Sequence, residues 1–595
     1  MSNLDLVITV DTAVAHLAGA LNRPGWVMLP FSPDWRWLTD RADSPWYPSL
    51  RLYRQPTPGD WGDVVARVRA DLTALVAERT GSVAATERME ANDALSLGTV
   101  TVAVDRRDLR RQTEALARAA NEHHQAKRHA ECETELRRLL ALDRDNASAM
   151  HVLALTRFYL HDRDESIDWL GKAVALEPNN GRMQRDLGIL LHEAGRFDAA
   201  LAATQRALAL NPHDASTYNG LGAALSSLER PVDAIDAYRR ALAIKPDYFE
   251  CWANIAHAQQ LLGAPDDAAA SYRRALGIKV DYAEAQCGLG LLALSRGDYA
   301  IGFTKLEWRW RLPRMTPRHA EWPAWQGEPL NGRTILLHAE QGAGDTIQCL
   351  RFVPEVAARG GRIVLELPPS LTRLATSLAG GGEIVPTGGT LPAYDVQCAL
   401  MSLPRVLGTR LETLPAAVPY LHPDAALAEQ WSRRLVGPGL KVGVAWAGNP
   451  EHSADRRRSI DVERLAPLFD VANVRFHSLQ VGRRGDDAER PLHRTVVDLA
   501  PDLTNFAETA AVIANLDLVL TVDTAVAHLA GALGRPCWVM LPFAPDWRWL
   551  SGRDDSPWYP TLRLFRQPAP GDWDSVIANV RAALGGHPGN GAAKY

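Results

Sequence analysis

The sequence predicts a multidomain chain in which a helical solenoid is followed by two parallel α/β halves and preceded by a partial duplicate of the second half. Three observations carry this reading. Prolines at 178, 212 and 246 lie 34 residues apart and close the similar phrases Ala-Leu-Glu-Pro, Ala-Leu-Asn-Pro and Ala-Ile-Lys-Pro, and a fixed period of that size marks stacked supersecondary units. Beyond residue 333, short apolar runs alternate with helical stretches, as parallel α/β domains require. The stretch 3–72 is written again at 515–584 with about three-quarters of its residues unchanged.

A chain of 595 residues must divide, since single cores stop growing at about 250 to 300 residues. A net charge of −5 gives no electrostatic footprint for nucleic acid. The basic runs Arg456-Arg457-Arg458 and Arg483-Arg484 are short. Six scattered cysteines without a C-x-x-C pair indicate neither a disulfide framework nor a zinc knuckle, and fit a reducing cytoplasm. No apolar run approaches the roughly 20 residues of a spanning helix, and no leader pattern opens the sequence. The expectation is a cytoplasmic protein without a membrane span.

In chain order, 1–80 is the partial duplicate and 81–112 a polar linker. The array occupies 113–312. Leu187-Gly188, Leu221-Gly222 and Leu289-Gly290 hold one position of the repeat, small enough at the second residue for helices to approach closely. Ala207, Ala241 and Ala275 hold another, with Tyr238 and Tyr272 three residues before their alanines. A helix pair cannot bury its apolar face alone, so stacking supplies the core and creates a concave surface. That surface is expected to take a polypeptide, the alternative being a spacer or dimerisation arm. Trp308 and Trp310 end the array and are expected to seal it against the next domain rather than serve as ligand platforms.

After a Pro/Trp-rich connector, 313–333, the first half spans 334–430. A buried strand at 334–338 leads into Glu340-Gln341-Gly342-Ala343-Gly344-Asp345 and a helix that Pro354 should split; further strands are expected at 363–367 and 394–396. The second half spans 440–585, with strands expected at 441–446, 475–479, 516–521 and 537–541. Between the last two, Asp523 or Thr524 caps a helix with apolar Val526, Leu529, Ala530 and Leu533, stopped by Gly534 and Pro536. The tail 586–595 is expected to be disordered.

Open parallel sheets bind ligands beyond the carboxyl ends of their strands, where Gly342 to Asp345 and Thr521 to Thr524 both fall. A helix starting at Ala525 offers amide donors and a partial positive charge that suit a diphosphate. Thr524 and His528 share a helix face, while Asp523 can cap the helix or accept from sugar hydroxyls.

These residues resemble a known group. His338-Ala339-Glu340-Gln341-Gly342-Ala343-Gly344-Asp345-Thr346, Val442-Gly443-Val444-Ala445-Trp446-Ala447-Gly448-Asn449 and Val522-Asp523-Thr524-Ala525-Val526-Ala527-His528-Leu529 look like the heptosyltransferase-type glycosyltransferases. The array resembles the tetratricopeptide repeat, and 113–584 as a whole is similar to bacterial proteins coupling such repeats to a heptosyltransferase-like domain. The resemblance implies a GT-B fold of two Rossmann-like halves, the first for the acceptor and the second for a nucleotide-sugar donor. It implies Asp345 as general base, because a hydroxyl is a poor nucleophile until a carboxylate takes its proton. It also implies Arg458, with Asp523, Thr524 and His528, as donor contacts, and an inverting displacement with no metal and no cofactor. Arg456 is a weaker second choice, and Glu340 stands outside the catalytic set as either a second acid or base or a loop anchor.

The implied activity is transfer of a sugar from a nucleotide diphosphate to an acceptor hydroxyl, with the repeat groove recruiting a protein acceptor. A lipopolysaccharide or other glycan acceptor, and a non-catalytic scaffold, are the competing readings. The opening copy retains Asp11, Thr12 and His16 but lacks counterparts of 442–446, the Arg458 loop and the Asp345 domain. It is expected to be an inert remnant, or else a competitor for the sheet of 515–584 and so a route to a homodimer.

Overall fold

A computed structural model describes residues 6–10, 13–31, 37, 42–44, 46–57, 60–80, 106–313, 315–452, 454–482 and 495–588. The chain divides into two compact units, 1–106 and 107–595.

The opening unit contains strand β1 (Val7–Val10), helix α1 (Ala13–Ala20), strands β2 (Gly25–Leu29) and β3 (Leu50–Arg54), and helix α2 (Trp61–Thr80). Its strands form a parallel sheet in the order β1-β2-β3, with Val7, Ala15, Val27, Leu29 and Trp37 in the core. Ile8, Val10, Leu17 and Trp46 are exposed, whereas their equivalents in the second copy, Leu520, Val522, Leu529 and Trp558, are buried. The unit folds the repeated block but not what covers it in the complete copy. Asp11 and Thr12 lie outside the described residues.

The second unit begins with twelve helices in six pairs, from α3 (Arg106–Gln125) to α14 (Tyr299–Leu306). Helix starts at 129, 163, 197, 231, 265 and 299 keep the 34-residue period, as do those at 147, 181, 215, 249 and 283. Local chemistry sets the boundaries. Asn146, Asp162, Asn180, Asp214 and Asp298 cap helices with their side chains, and Pro231 and Pro265 occupy first-turn positions where no amide is missed. Close approach accounts for the small residues: a Cβ on Gly222 would lie 2.4 Å from the Tyr238 ring, and one on Gly188 2.6 Å from Thr204. The array starts earlier than the 113 read from the sequence, because α3 begins inside the expected linker; residues 81–105 and 589–595 lie outside the described residues.

The first α/β half carries strands β4 (Thr334–His338), β5 (Arg362–Leu367), β6 (Glu383–Pro386) and β7 (Val396–Ala399) in the parallel order β6-β5-β4-β7. The helix after β4 is split near Pro354 into Ala343–Cys349, a 3₁₀ turn and Val353–Ala357. Among the described residues the second half has six parallel strands, β8 (Leu440–Ala445), β9 (Val474–Ser478), β10 (Val496–Asp498), β11 (Leu518–Val522), β12 (Cys537–Leu541) and β13 (Leu562–Arg566), in the order β10-β9-β8-β11-β12-β13. Among the described residues no helix is long and apolar enough to cross a membrane.

The solenoid packs onto the α/β halves along the edge formed by the turns within its helix pairs. Arg456 lies 6.0 Å from the Phe197 ring centre, a Cβ on Gly263 would meet Phe543 at 2.8 Å, and one on Gly297 would meet Leu411 at 3.1 Å. The seal at the array's end differs from the sequence expectation. Tyr299 and Phe303 of α14 pack against Trp547 and Trp558, while Trp308 and Trp310 are half-buried, each under a neighbouring arginine. Arg309 between them is the residue driven inside, 2 % exposed.

Candidate functional site

Strand order reverses between β4 and β7 in the first half and between β8 and β11 in the second, the places where parallel sheets receive ligands. Two helices start beyond these strand ends, Ala343–Cys349 and Ala525–Ala532, and they touch. A Cβ on Gly344 would lie 2.9 Å from His528 and 3.5 Å from Ala525 Cα, so glycine is what lets the helix bearing Asp345 meet the helix capped by Thr524.

Asp345 sits in the first turn, its Oδ2 accepting from Gly342 N–H at 3.0 Å. Its Oδ1 is engaged across the crevice by Arg548, a residue sequence reasoning missed. Arg548 comes from the turn Trp547–Trp549, which is capped by Asp546. Its guanidinium also donates to Asp546 at 2.8 Å and to Gln348 at 2.5 Å. Burial works against this charge, and Asp546 and Asp345 more than offset it, so the Arg548 pKa lies above its usual value.

Asp523 is 8 % exposed. Burial, reinforced by Asp546, pushes its carboxyl up to about 7 against the opposing pull of Arg458 and Arg548. Thr524 caps its helix, its hydroxyl accepting from Val526 N–H at 3.3 Å and lying 3.1 Å from Thr521 Oγ1. Ala527 N–H donates to Thr524 O, so two early amides are already taken and the helix offers a ligand fewer donors than a bare terminus would.

His528 is a packed residue first. Its Nδ1 lies 3.0 Å from Tyr559 OH and its ring stacks on Trp549 at 5.4 Å. Burial, together with Arg548, Arg351 and Arg458, holds its pKa well below the usual value, so it is neutral. His16 of the opening unit makes the same pair of contacts, stacked on Trp37 at 5.1 Å and edge-on to Tyr47 at 5.7 Å. The arrangement therefore belongs to the packing of the repeated block itself.

The loop after β8 is built by groups the sequence did not single out. Gln480 Oε1 accepts from Trp446 and Ala447 N–H at 3.0 and 2.9 Å. Buried Asp455 accepts from Ser459, which in turn accepts from Gly448 N–H. Arg458 leans on this frame, its Nε 3.6 Å from Asp455 and without a hydrogen-bond partner, within electrostatic reach of Asp523. Arg456 instead faces the solenoid. Glu340 behaves as a loop anchor, accepting from Arg309 at 3.0 Å and from Met401 N–H at 3.2 Å. The structure thus brings Asp345 and Asp546 onto Arg548, sets Asp523 within electrostatic reach of both Arg548 and Arg458 with Thr524 beside it in sequence, and turns Arg456 toward the solenoid. Among the described residues no group of His, Cys, Asp and Glu is arranged to hold a metal ion.

Comparison with known proteins agrees with this architecture. Residues 151–215, 185–249 and 249–281 match tetratricopeptide repeat families, and 483–539 match glycosyltransferase family 9 (heptosyltransferase); Asp523, Thr524 and His528 fall in that last stretch. The chain thus joins tetratricopeptide repeats to a region of glycosyltransferase family 9 type. A curated relative is Protein FlbA of Caulobacter vibrioides, 28% identical over 289 residues, or 44% of this chain and 48% of FlbA; the chain spans about half the length of this relative. Among solved structures, MamA is 24% identical with a TM-score of 0.27 over 29% of this chain and 94% of its own. The Pseudomonas aeruginosa pilF structure is 18% identical with a TM-score of 0.30 over 35% and 94%.

Proposed function

We propose that the chain transfers a sugar from a nucleotide diphosphate to an acceptor hydroxyl in one inverting displacement without a metal, the acceptor being a protein recruited by the repeats. The observation that carries this reading is the meeting, at Gly344 and His528, of two helix starts that bring Asp345 against the Arg548 cluster. Asp345 takes the hydroxyl proton as the oxygen attacks the anomeric carbon. The bond to the diphosphate breaks with its electron pair passing to the leaving phosphate, where Arg548, Arg458 and the capped helix offset the charge. Without donor, Arg548 is spent on Asp345 and Asp546. An arriving diphosphate gives Arg548 a more highly charged partner and leaves the Asp345 carboxylate to the acceptor.

The test is a panel of nucleotide sugars, followed by nucleotide release and by thermal unfolding of the whole chain. The right donor at about 100 times its Kd stabilises the fold by about 2.7 kcal/mol and is consumed only with acceptor present. A panel in which nothing binds and nothing is released overturns the reading in favour of a scaffold.

Two further outcomes follow. Below about 7 Asp523 is neutral and can donate to a phosphate oxygen; above it the carboxylate repels the same group. Donor affinity should therefore fall severalfold as pH rises through that value, and Asp523→Asn should flatten the dependence in donor titrations at about pH 6 and 8. Removal of residues 1–80 should leave the transfer rate nearly unchanged, because among the described residues the opening unit has three strands where the second half has six, and the sequence of 1–80 lacks counterparts of β8, Asp345 and Arg458.

A further inference from the structure

Arg548 reaches Asp345 from a turn that the repeat array holds from behind. The turn Trp547–Trp549 is a 3₁₀ helix, one revolution of about three residues, so its side chains leave about 120° apart. Trp547 points into the array, Arg548 into the crevice and Trp549 onto His528, 5.4 Å away. Fixing the first and last of these directions fixes the middle one, and with it the aim of the guanidinium.

The array supplies the first direction. Phe303 meets the Trp547 ring at 5.6 Å and Tyr299 meets it at 6.4 Å, with interplanar angles of 89° and 84°. These are the T-shaped contacts that aromatic quadrupoles favour. Trp558 closes the box, 5.8 Å from Trp547 and 5.5 Å from Tyr299. The Arg548 guanidinium lies 4.4 Å from the same Trp547 ring, within cation–π range, so one indole touches both the array and the charged group.

Both ends of the segment are held by the array as well. Before the turn, Phe543 occupies the space beside Gly263, where φ is 69° and a Cβ would lie 2.8 Å from the ring. After the turn, Ser551 N–H donates to Ser295 O at 3.1 Å. Between these contacts Leu550 sits at φ 52°. Leucine rarely adopts that left-handed conformation, which persists where the surroundings over-determine it. Here the surroundings are the last two helix pairs of the array.

We infer that these helix pairs are a part of the crevice itself. Tyr299 and Phe303 are positioning residues that act through Trp547 on Arg548, setting its ion pair with Asp345 and its contact with an arriving diphosphate. The diphosphate contact rests on the transferase reading above; the positioning of Arg548 does not. Without an aromatic edge against Trp547 the turn is free to rotate, and a displacement of about 1 Å at a charged contact can cost up to about 10²-fold.

The test uses the full chain and the variants Phe303→Ala, Phe303→Leu, Leu153→Ala and Asp345→Ala, with the double variant Phe303→Ala/Asp345→Ala. Leu153 is fully buried near the start of the array, so its truncation loosens the array without touching Trp547. Nucleoside diphosphates and pyrophosphate are titrated by calorimetry at a temperature where circular dichroism shows every variant folded. They should bind Phe303→Ala about tenfold more weakly than the wild type, Leu153→Ala as tightly as the wild type, and Phe303→Leu with most of the loss restored. In urea unfolding without ligand, the double variant should lose less stability than the two single changes added together, because both act on one guanidinium, whereas independent sites add. Unchanged diphosphate affinity in Phe303→Ala, equal weakening in Leu153→Ala, or strict additivity would each overturn the positioning role. A wild type that binds no diphosphate while the coupling persists keeps the positioning and removes the transferase; diphosphate binding and transfer with strict additivity do the reverse.

Discussion

Asp345→Ala is expected to lower acceptor-dependent transfer by about 10²- to 10⁴-fold, the usual contribution of a positioned base, while donor binding survives. The survival follows from Arg548, which keeps Asp546 and Gln348 as partners and so stays charged and in place when one carboxylate is removed. Arg548→Met is expected to behave differently. It strands Asp345, Asp546 and buried Asp523 around a neutral side chain, which weakens donor binding and costs about 3 to 5 kcal/mol of stability, as loss of one member of a buried ion pair does. The double variant should lose less stability than the two single changes added together, because the repulsion in Arg548→Met needs the Asp345 charge. Urea unfolding and donor titration of the four proteins decide the matter. Normal turnover by Asp345→Ala would remove it as base and leave the transferase class standing; strict additivity would mean that the ion pair across the crevice contributes nothing.

How much of this was legible in the sequence depends on the range of the interactions involved. The solenoid was, because the constraints that fix each pair, a cap, a closing proline and a small residue under Tyr238, lie within one 34-residue unit. The start of its first helix, Arg106–Gln125, was set too late, at 113, because no proline marks it. Strands β8, β11 and β12 are mostly apolar runs that the composition betrays. Short β10, β6 with Pro386, and β13, whose arginines alternate with apolar residues, give no such run and are fixed by neighbours in the sheet. In the site, Asp345, Asp523 and Thr524 sit where local turn chemistry places them. Arg548 between two tryptophans reads as a packing residue, and its partner Asp345 lies 203 positions away. His528 was read for its spacing from Thr524, but stacking on Trp549 and a bond to Tyr559 decide its role, and neither contact is visible in a helical period.

Arg309→Met is the change expected to separate the repeats from the chemistry. The guanidinium is 2 % exposed and bonds to Glu307 at 2.6 Å, Ser402 at 2.7 Å and Glu340 at 3.0 Å. Burial pushes the Glu340 carboxyl up to about 7, and Arg309 is the main force holding it from rising further. A carboxyl whose folded value is raised gives the fold its full support at low pH and withdraws it as pH climbs from the ordinary range, near 4.5, to the folded value. Without Arg309 that withdrawal deepens and extends to higher pH, since only Met401 N–H is left to an ionised Glu340. The variant should therefore be nearly as stable as the wild type at about pH 5 and weaker by up to about 1.4 kcal/mol at about pH 8, one pH unit above the wild-type folded value. Glu340→Gln in the same chain should restore much of the difference by removing the charge that was left unpaired. Because Glu340 opens the loop that ends at Asp345, kcat should fall in Arg309→Met with donor affinity kept, which a purely global loss of stability would not produce. Equal stability at both pH values would show that the array's last turn is merely attached to the first α/β half and does not hold the base in place.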